Sequence, residues 1–371
     1  MPILSKRKVL LAVGLLLASS SFSVPLSGAL GGLPALAQTA APPTLGREWV
    51  YTIQPTDTLS RIANRNGLDL RRLLSINGLS TRNPLRAGQK IHLSDRHIPP
   101  PSQGAAIVVN IPDGLLYRYE PTGITLYPVA LGEPNDEDAS DPARWRTPIG
   151  SFKVVEKRKN PVWNVPRSIQ EEMRRDGKEV LTKVKAGPEN PLGTRWIGLS
   201  AWGYGIHGTN APSSIGRFST HGCVRMRSEH VEALFDSLEK GASVRIVYQP
   251  AKLAVQGSAI YLEVGRDVYR QIPDMHAHVQ RLIREAGLAD RVDPAHVHRV
   301  VKARWGVATR VERGAPTPFA KLQPPPTPQP SPSPMPSPSA TLSATPSASP
   351  SSSPFTTPPH PASPSTPQET P

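Results

Sequence analysis

The chain has 371 residues, with 43 Lys and Arg against 29 Asp and Glu and a net charge of +14. At 37% hydrophobic residues it can bury a sizeable core, so a wholly unfolded chain is excluded. Its single cysteine, Cys223, excludes an internal disulfide framework.

The N-terminus reads as an export signal over 1–37. Met1–Lys8 carries three positive charges, Val9–Ala18 is an apolar run, and Ala35-Leu36-Ala37 offers a small-x-small cleavage site. The apolar run is shorter than the ~20 residues a spanning helix needs. Export places the protein in a periplasm or cell wall. There the positive charge suits carboxylate-bearing wall peptides, anionic polymers or lipid headgroups, and nucleic acid is not expected. Arg-rich usage that merely keeps the chain soluble would give the same charge.

After a short linker, Gln38–Thr44, a compact segment occupies 49–94. Tyr51–Gln54 alternates as a strand, and Asp57 is placed to cap a helix whose Leu59, Ile62 and Ala63 share a face. Gly67 ends that helix. Leu70, Leu73, Leu74 and Asn77 line a second one, which Gly78 ends, and Ile91–Leu93 returns as a strand. This βααβ segment, with "YTIQPTDTL", "IA", "NGL" and "LRAGQKI" in place, closely resembles the LysM domain. The resemblance implies binding to glycan containing N-acetylglucosamine, usually peptidoglycan; Thr56 stands where the family usually has glycine.

Ile98–Gly104, "IPPPSQG", reads as a second, proline-stiffened linker before a domain over 105–249. Strands are expected at Ala106–Pro112, Leu115–Glu120 and Ile124–Gly132, forming a β-meander, with another after Pro148-Ile149-Gly150. A Pro/Gly-rich stretch, Asn160–Gly193, holds a polar helix near Ser168–Arg175, and Arg195–Gly208 reads as one strand leading to His207. Val231, Leu234, Phe235 and Leu238 form one helical stripe, with Ser228 as its cap and Gly241 as its end, before a last strand at Ser243–Tyr248. The expectation is a mainly β domain with one packed helix.

A small α/β appendage is expected over 254–312, with strands "AIYLEV" and "DVYRQI" and helices at Met275–Ala286 and Pro294–Arg304. Its His276/His278 and His296/His298 pairs lie two residues apart, which on a helix is not one face, so no metal centre is expected. From 314 to 371 the chain is Pro/Ser/Thr-rich with almost no charge and reads as disordered.

Cys223 sits in "STHGCVRM". A lone thiol in an oxidising compartment is inert and buried, used between chains, or reactive. A nucleophilic thiol needs a base or a field that favours thiolate. His221 is two residues away, and His207 precedes a loop, "GTNAPSSIG", that could fold back towards it. Gly208 and Gly222 permit close backbone approach, so backbone N–H groups could bind an oxyanion. A Cys/His acyl-transfer site and a buried core cysteine both remain open on this chemistry.

The string "HGTNAPSSIGRFSTHGCVRM", together with "RTPIGSF", "NPVWNVP" and "NPLGTRWIGL", is similar to the signature of the YkuD (ErfK/YbiS) L,D-transpeptidases, over about Ala105–Tyr248. The resemblance implies a YkuD-like β-sandwich with Cys223 as nucleophile and His207 as proton donor and acceptor. His221, Gly222 and Thr220 would shape the turn beside an oxyanion hole at His221–Cys223; many members carry serine where Thr220 stands. Arg225 would contact a substrate carboxylate or brace the loop, and Thr209 and Gly208 would join it in substrate binding. The implied reaction moves a peptidoglycan tetrapeptide stem from its terminal D-alanine to an amine. That amine belongs to another stem, in a 3→3 cross-link, or to the lysine of a wall-anchored lipoprotein. No cofactor and a monomeric enzyme are expected. An L,D-carboxypeptidase using water and a non-catalytic wall-binding protein are the alternatives. Cysteine amidases usually place Cys before His, the reverse of this chain.

Overall fold

The structure is a computed structural model that describes residues 44–134 and 145–322. The proposed export signal (1–37) and the tail beyond residue 322 lie outside the described residues.

The first module is β1 (Glu48–Thr52), α1 (Leu59–Arg65), α2 (Leu70–Asn77) and β2 (Lys90–Ser94), with β1 and β2 paired antiparallel. Ile53, Leu59, Ile62, Ala63, Leu73, Ile91 and Leu93 close its core. The cap of α1 is Thr58, whose hydroxyl accepts from Arg61 N, not Asp57. Asp57 lies one residue too early and instead closes the preceding turn, accepting from Gln54 N at 2.9 Å and Tyr51 OH at 2.7 Å. On α2, Asp69 caps the N-terminus and Gly78 ends the helix at φ +61°. Its buried residues are Leu73 and Ile76.

The second module is built on an eight-stranded mixed sheet. Its strands are β3 (Ile107–Asn110), β4 (Leu115–Glu120), β5 (Gly123–Pro128), β7 (Gly150–Lys159), β10 (Arg195–Leu199), β11 (Gly205–His207), β13 (Val224–Arg225) and β14 (Ser243–Val247). Their order is β13-β11-β10-β7-β14-β3-β4-β5. The β3–β4–β5 meander is present. The last strand, β14, inserts between β3 (parallel) and β7 (antiparallel), which brings distant chain segments together. Outside this sheet, β6 (Leu131–Gly132) pairs with β12 (Phe218–Thr220), and β8 (Trp163–Asn164) with β9 (Lys183–Val184) around α3 (Arg167–Arg175).

Arg195–Gly208 is not one strand. Tyr204 N bonds Ala201 O and Leu199 N bonds Tyr204 O, with Gly203 at φ +81°, so the segment turns back as the β10–β11 hairpin. Helix α4 (Ser228–Ser237) buries Val231, Leu234 and Phe235 on the sheet, each worth about 1.5–3 kcal/mol. Its cap position is Arg227, not Ser228, and its C-cap is Leu238, in extended conformation, not Gly241. Ser228 is already helical, and its hydroxyl donates to Thr209 O at 3.4 Å.

The third module comprises β15 (Ala251–Gln256), β16 (Ala259–Val264), α5 (Met275–Glu285), α6 (Pro294–Ala303) and β17 (Thr309–Arg310). "DVYRQI" is not a strand. The Asp267 carboxylate accepts from Gln271 N, Ile272 N and Tyr248 OH, which folds the segment into a turn. That turn drives Tyr269 into the core of the second module. The His276 and His298 rings meet edge to face at 6.2 Å. Among the described residues no group of three His, Cys, Asp or Glu side chains could hold a metal ion.

The modules share buried surface. Ile76 of α2 belongs to the apolar core of the third module. The expected linker begins inside the protein: His97 to Pro100 are buried, and Ile98 packs on Ala254 and Ala308. The cause is a polar cluster at the three-way junction. Lys252 Nζ donates to Asp113 Oδ2 at 2.6 Å and lies 3.1 Å from Glu263 Oε2. Glu263 also accepts from Ile98 N at 2.7 Å and His97 Nδ1 at 2.8 Å, and Asp113 accepts from Tyr117 OH at 2.7 Å. Arg72 of α2 reaches His97 Nε2 at 3.3 Å and Asp113 O. A guanidinium only donates, so His97 carries its proton on Nδ1. The start of the segment read as a tail is packed too: Phe319 lies edge-on to Trp305 at 4.8 Å and to His92 at 5.5 Å.

Candidate active site

His207 ends β11 and Cys223 immediately precedes β13, and the two strands pair in parallel, Ile206 with Val224 and His207 with Arg225. Met226 N donates to His207 O at 2.8 Å and extends the pairing. Side chains alternate along a strand, so the side chains at 205 and 207 share a face, as do those at 223 and 225 across from them. Cys223 and His207 are therefore diagonal neighbours, with Arg225 directly opposite His207. The chain after His207 folds back so that β13 lies parallel to β11, and that pairing makes the juxtaposition.

The turn before Cys223 is held from three sides. Thr220 Oγ1 donates to Cys223 O at 2.7 Å and accepts from Gly222 N at 3.2 Å. Gly222 lies at φ +103°, and a Cβ there would stand 2.6 Å from the Tyr204 ring and 3.1 Å from Arg146 O, so the position admits only glycine. His221 Nε2 is 2.7 Å from Glu172 Oε2 on α3, and its ring sits edge-on to Trp145 at 4.3 Å. The thiol itself points to Gly203 O, at 3.6 Å, in the turn of the β10–β11 hairpin.

His207 is buried, stacked beside Trp196 at 6.1 Å, and donates from Nδ1 to Gly208 O at 2.7 Å. That bond leaves Nε2 as an acceptor. Arg225 donates to Ser214 Oγ at 3.0 Å and so braces the loop, while its buried Nε has no hydrogen-bond partner among the described residues. The Thr209 hydroxyl accepts from Ala211 N at 2.8 Å, so it is turned into its own loop. Gly208 lies against Gly193, where a Cβ would meet backbone at 3.3 Å.

The LysM domain profile matches residues 51–94, and the profile of the L,D-transpeptidase catalytic domain, YkuD, matches 104–246. "Probable L,D-transpeptidase ErfK/SrfK" of Salmonella typhimurium is 30% identical over 272 residues, 70% of this chain and 84% of that protein. "Probable L,D-transpeptidase YcfS" of Escherichia coli is 31% identical over 254 residues, 65% of this chain and 77% of that protein. The chain belongs to the YkuD family of L,D-transpeptidases. Among solved structures, an L,D-transpeptidase from Mycobacterium smegmatis aligns at 18% identity and TM-score 0.30, over 39% of this chain and 59% of that one.

In this L,D-transpeptidase, burial pushes the Cys223 thiol up to about 11, against smaller opposing effects of the Gly205 backbone and Arg225. Burial, helped by the Arg225 charge, lowers His207 to about 3, against the Gly208 hydrogen bond. The resting pair is a neutral thiol and a neutral imidazole, not an ion pair. Several neighbours of the YkuD site carry no sequence signal. Glu172 lies in a polar helix 51 residues before Cys223. Tyr269 comes from the third module, donating to Gly132 O at 2.7 Å and accepting from Thr147 N at 3.0 Å. Arg146 stacks over its ring at 5.1 Å.

Proposed function

We propose that the enzyme acts on peptidoglycan stem peptides through a Cys223 thioester. The observation that carries this reading is the His207 Nδ1–Gly208 O bond, which leaves Nε2 unprotonated on a strand that pairs in parallel with the one Cys223 precedes. As Cys223 Sγ attacks the carbonyl of the diamino acid at position three of the stem, His207 takes the thiol proton. It then delivers that proton to the departing D-alanine amine, and the thioester remains. The Gly222 N–H is engaged by Thr220, so the Cys223 N–H is the turn's donor to the developing oxyanion. An acceptor amine attacks the thioester, and the sulfur leaves and regains its proton through His207. The bond energy of the cleaved amide is kept in the thioester, so no nucleotide is needed.

The first module supplies glycan binding and holds the enzyme on the wall, outside the cytoplasm. No helix among the described residues is long and apolar enough to cross a membrane. The reading is tested by incubating the protein with a carbapenem and measuring its intact mass. One covalent adduct is expected on the wild type and none on Cys223→Ser. No adduct on the wild type, or equal adducts on both, overturns it. Muropeptide analysis of a deletion strain identifies the acceptor: lost 3→3 dimers indicate cross-linking, lost lipoprotein remnants indicate anchoring.

A further inference from the structure

The turn that presents Cys223 passes through Gly222 at φ +103°, and glycine is the residue whose backbone has most conformational freedom to lose. Thr220 restrains it from one side. On the other side the only side chain the turn offers before the thiol is that of His221. Its ring is held between the Trp145 face, at 4.3 Å and 90°, and the Glu172 carboxylate, at 2.7 Å. Both partners of that hydrogen bond are about one-third exposed, so it adds at most about 1 kcal/mol to stability. Alignment is a different matter, because a 1 Å displacement of a reacting group costs about 100-fold in rate. Glu172 also links α3, none of whose residues is buried, to this turn.

We propose that Glu172 is a positioning residue of the transfer reaction: by fixing the His221 ring it holds the Gly222-Cys223 backbone, and with it the thiol and the Cys223 N–H, in the geometry acylation needs. The inference rests on Cys223 being the nucleophile.

The test compares Glu172→Ala, Glu172→Gln, His221→Ala and the Glu172→Ala/His221→Ala double variant of the full chain. Rapid-mixing kinetics of carbapenem acylation are read beside hydrogen exchange over residues 219–226. Glu172→Ala should lower the maximal acylation rate about 10- to 100-fold, with half-saturation within about twofold of wild type. Glu172→Gln, whose amide oxygen still accepts from Nε2, should restore most of the rate. The double variant should be no slower than His221→Ala, because both substitutions break one interaction. Exchange over 219–226 should rise in Glu172→Ala and not in Glu172→Gln. A wild-type rate and wild-type exchange in Glu172→Ala, a change in half-saturation alone, or additive losses in the double variant would overturn the proposal. If the wild type itself takes no carbapenem, the thioester reading fails, and exchange over 219–226 alone decides the role of Glu172.

Discussion

At the scale of single residues, three positions carry the site's physics: Gly222, Cys223 and His207. Gly222 is required twice, by its positive φ and by the Tyr204 ring 2.6 Å from where a Cβ would lie. Gly222→Ala should therefore cost acylation activity by at least about 100-fold, since the turn must shift by an ångström or more to admit the methyl group. A wild-type rate in this variant would show that the turn is not under that constraint. The Cys223–His207 pair is neutral at rest, and neither group changes charge between about 3 and about 11. Carbapenem acylation by the free enzyme should then be flat from about pH 5 to about pH 9. A rising limb near the ordinary histidine range would instead mark a resting thiolate–imidazolium pair.

At the scale of elements, the β10–β11 hairpin and the β11–β13 pairing do most to build the site. The hairpin turn supplies Gly203 O to the thiol and the Tyr204 ring to Gly222, and β11 delivers His207. The polar cluster at the start of β15 and the end of β16 does comparable work for stability. Asp113 and Glu263 face Lys252 and Arg72, so its charges balance, and breaking one partner leaves a buried charge uncompensated. Lys252→Met should destabilise the fold by about 3–5 kcal/mol, read as a lower denaturant midpoint. The same cluster gives an acid response. Burial alone would raise the Glu263 carboxyl, but Lys252, His97 and the Ile98 N–H outweigh it and hold it well below the ordinary carboxylate range. A depressed carboxylate contributes stability above its unfolded value near 4.5, and that contribution is lost as pH falls through the lower folded value. His207 acts in the same direction, because the unfolded chain binds a proton near 6.5 that the folded chain refuses until about 3. Thermal midpoints should fall progressively below about pH 6.5 and most steeply below about pH 4.5. A midpoint unchanged down to about pH 4 would contradict the His207 assignment, and one that does not fall more steeply below about pH 4 would contradict that of Glu263.

At the scale of the whole molecule, the LysM module is not a bead on a flexible tether. Ile76 enters the core of the third module, Arg72 enters the polar junction, and Arg71 donates to Gly216 O in the loop that Arg225 braces. Deleting residues 49–94 should therefore lower the stability of the remaining chain as well as its hold on sacculi. A truncated protein with an unchanged melting temperature would show that the junction contributes nothing. Cys223→Ala is the cleaner separation of roles. It should abolish acylation and leave sacculus pull-down intact, since the hydrogen bonds of Cys223 run to Thr220 and Gly203 in the second module.

The parts of this protein legible in its sequence are those encoded over short distances. The stripe Val231, Leu234, Phe235 marks a packed helix because helical period is local, and the βααβ order of 49–94 follows from glycine and polar caps between apolar runs. The signature around His207 and Cys223 carried the family without any coordinates. What the sequence left open was set by contacts between distant residues. Alternation says that Arg195–Gly208 is extended but not that it reverses at Gly203, and it names no partner strand for β13. Three prolines suggest a linker, yet Ile98 to Pro100 are buried because Glu263, 165 residues later, accepts the Ile98 N–H. Glu172 is one acid in a polar helix until tertiary structure sets it 2.7 Å from His221. The sequence by itself marked Cys223 and His207 as the candidates for acyl transfer. Only the tertiary structure decided their faces, their protonation states and what holds them, because burial and long-range pairing are not written in any local pattern.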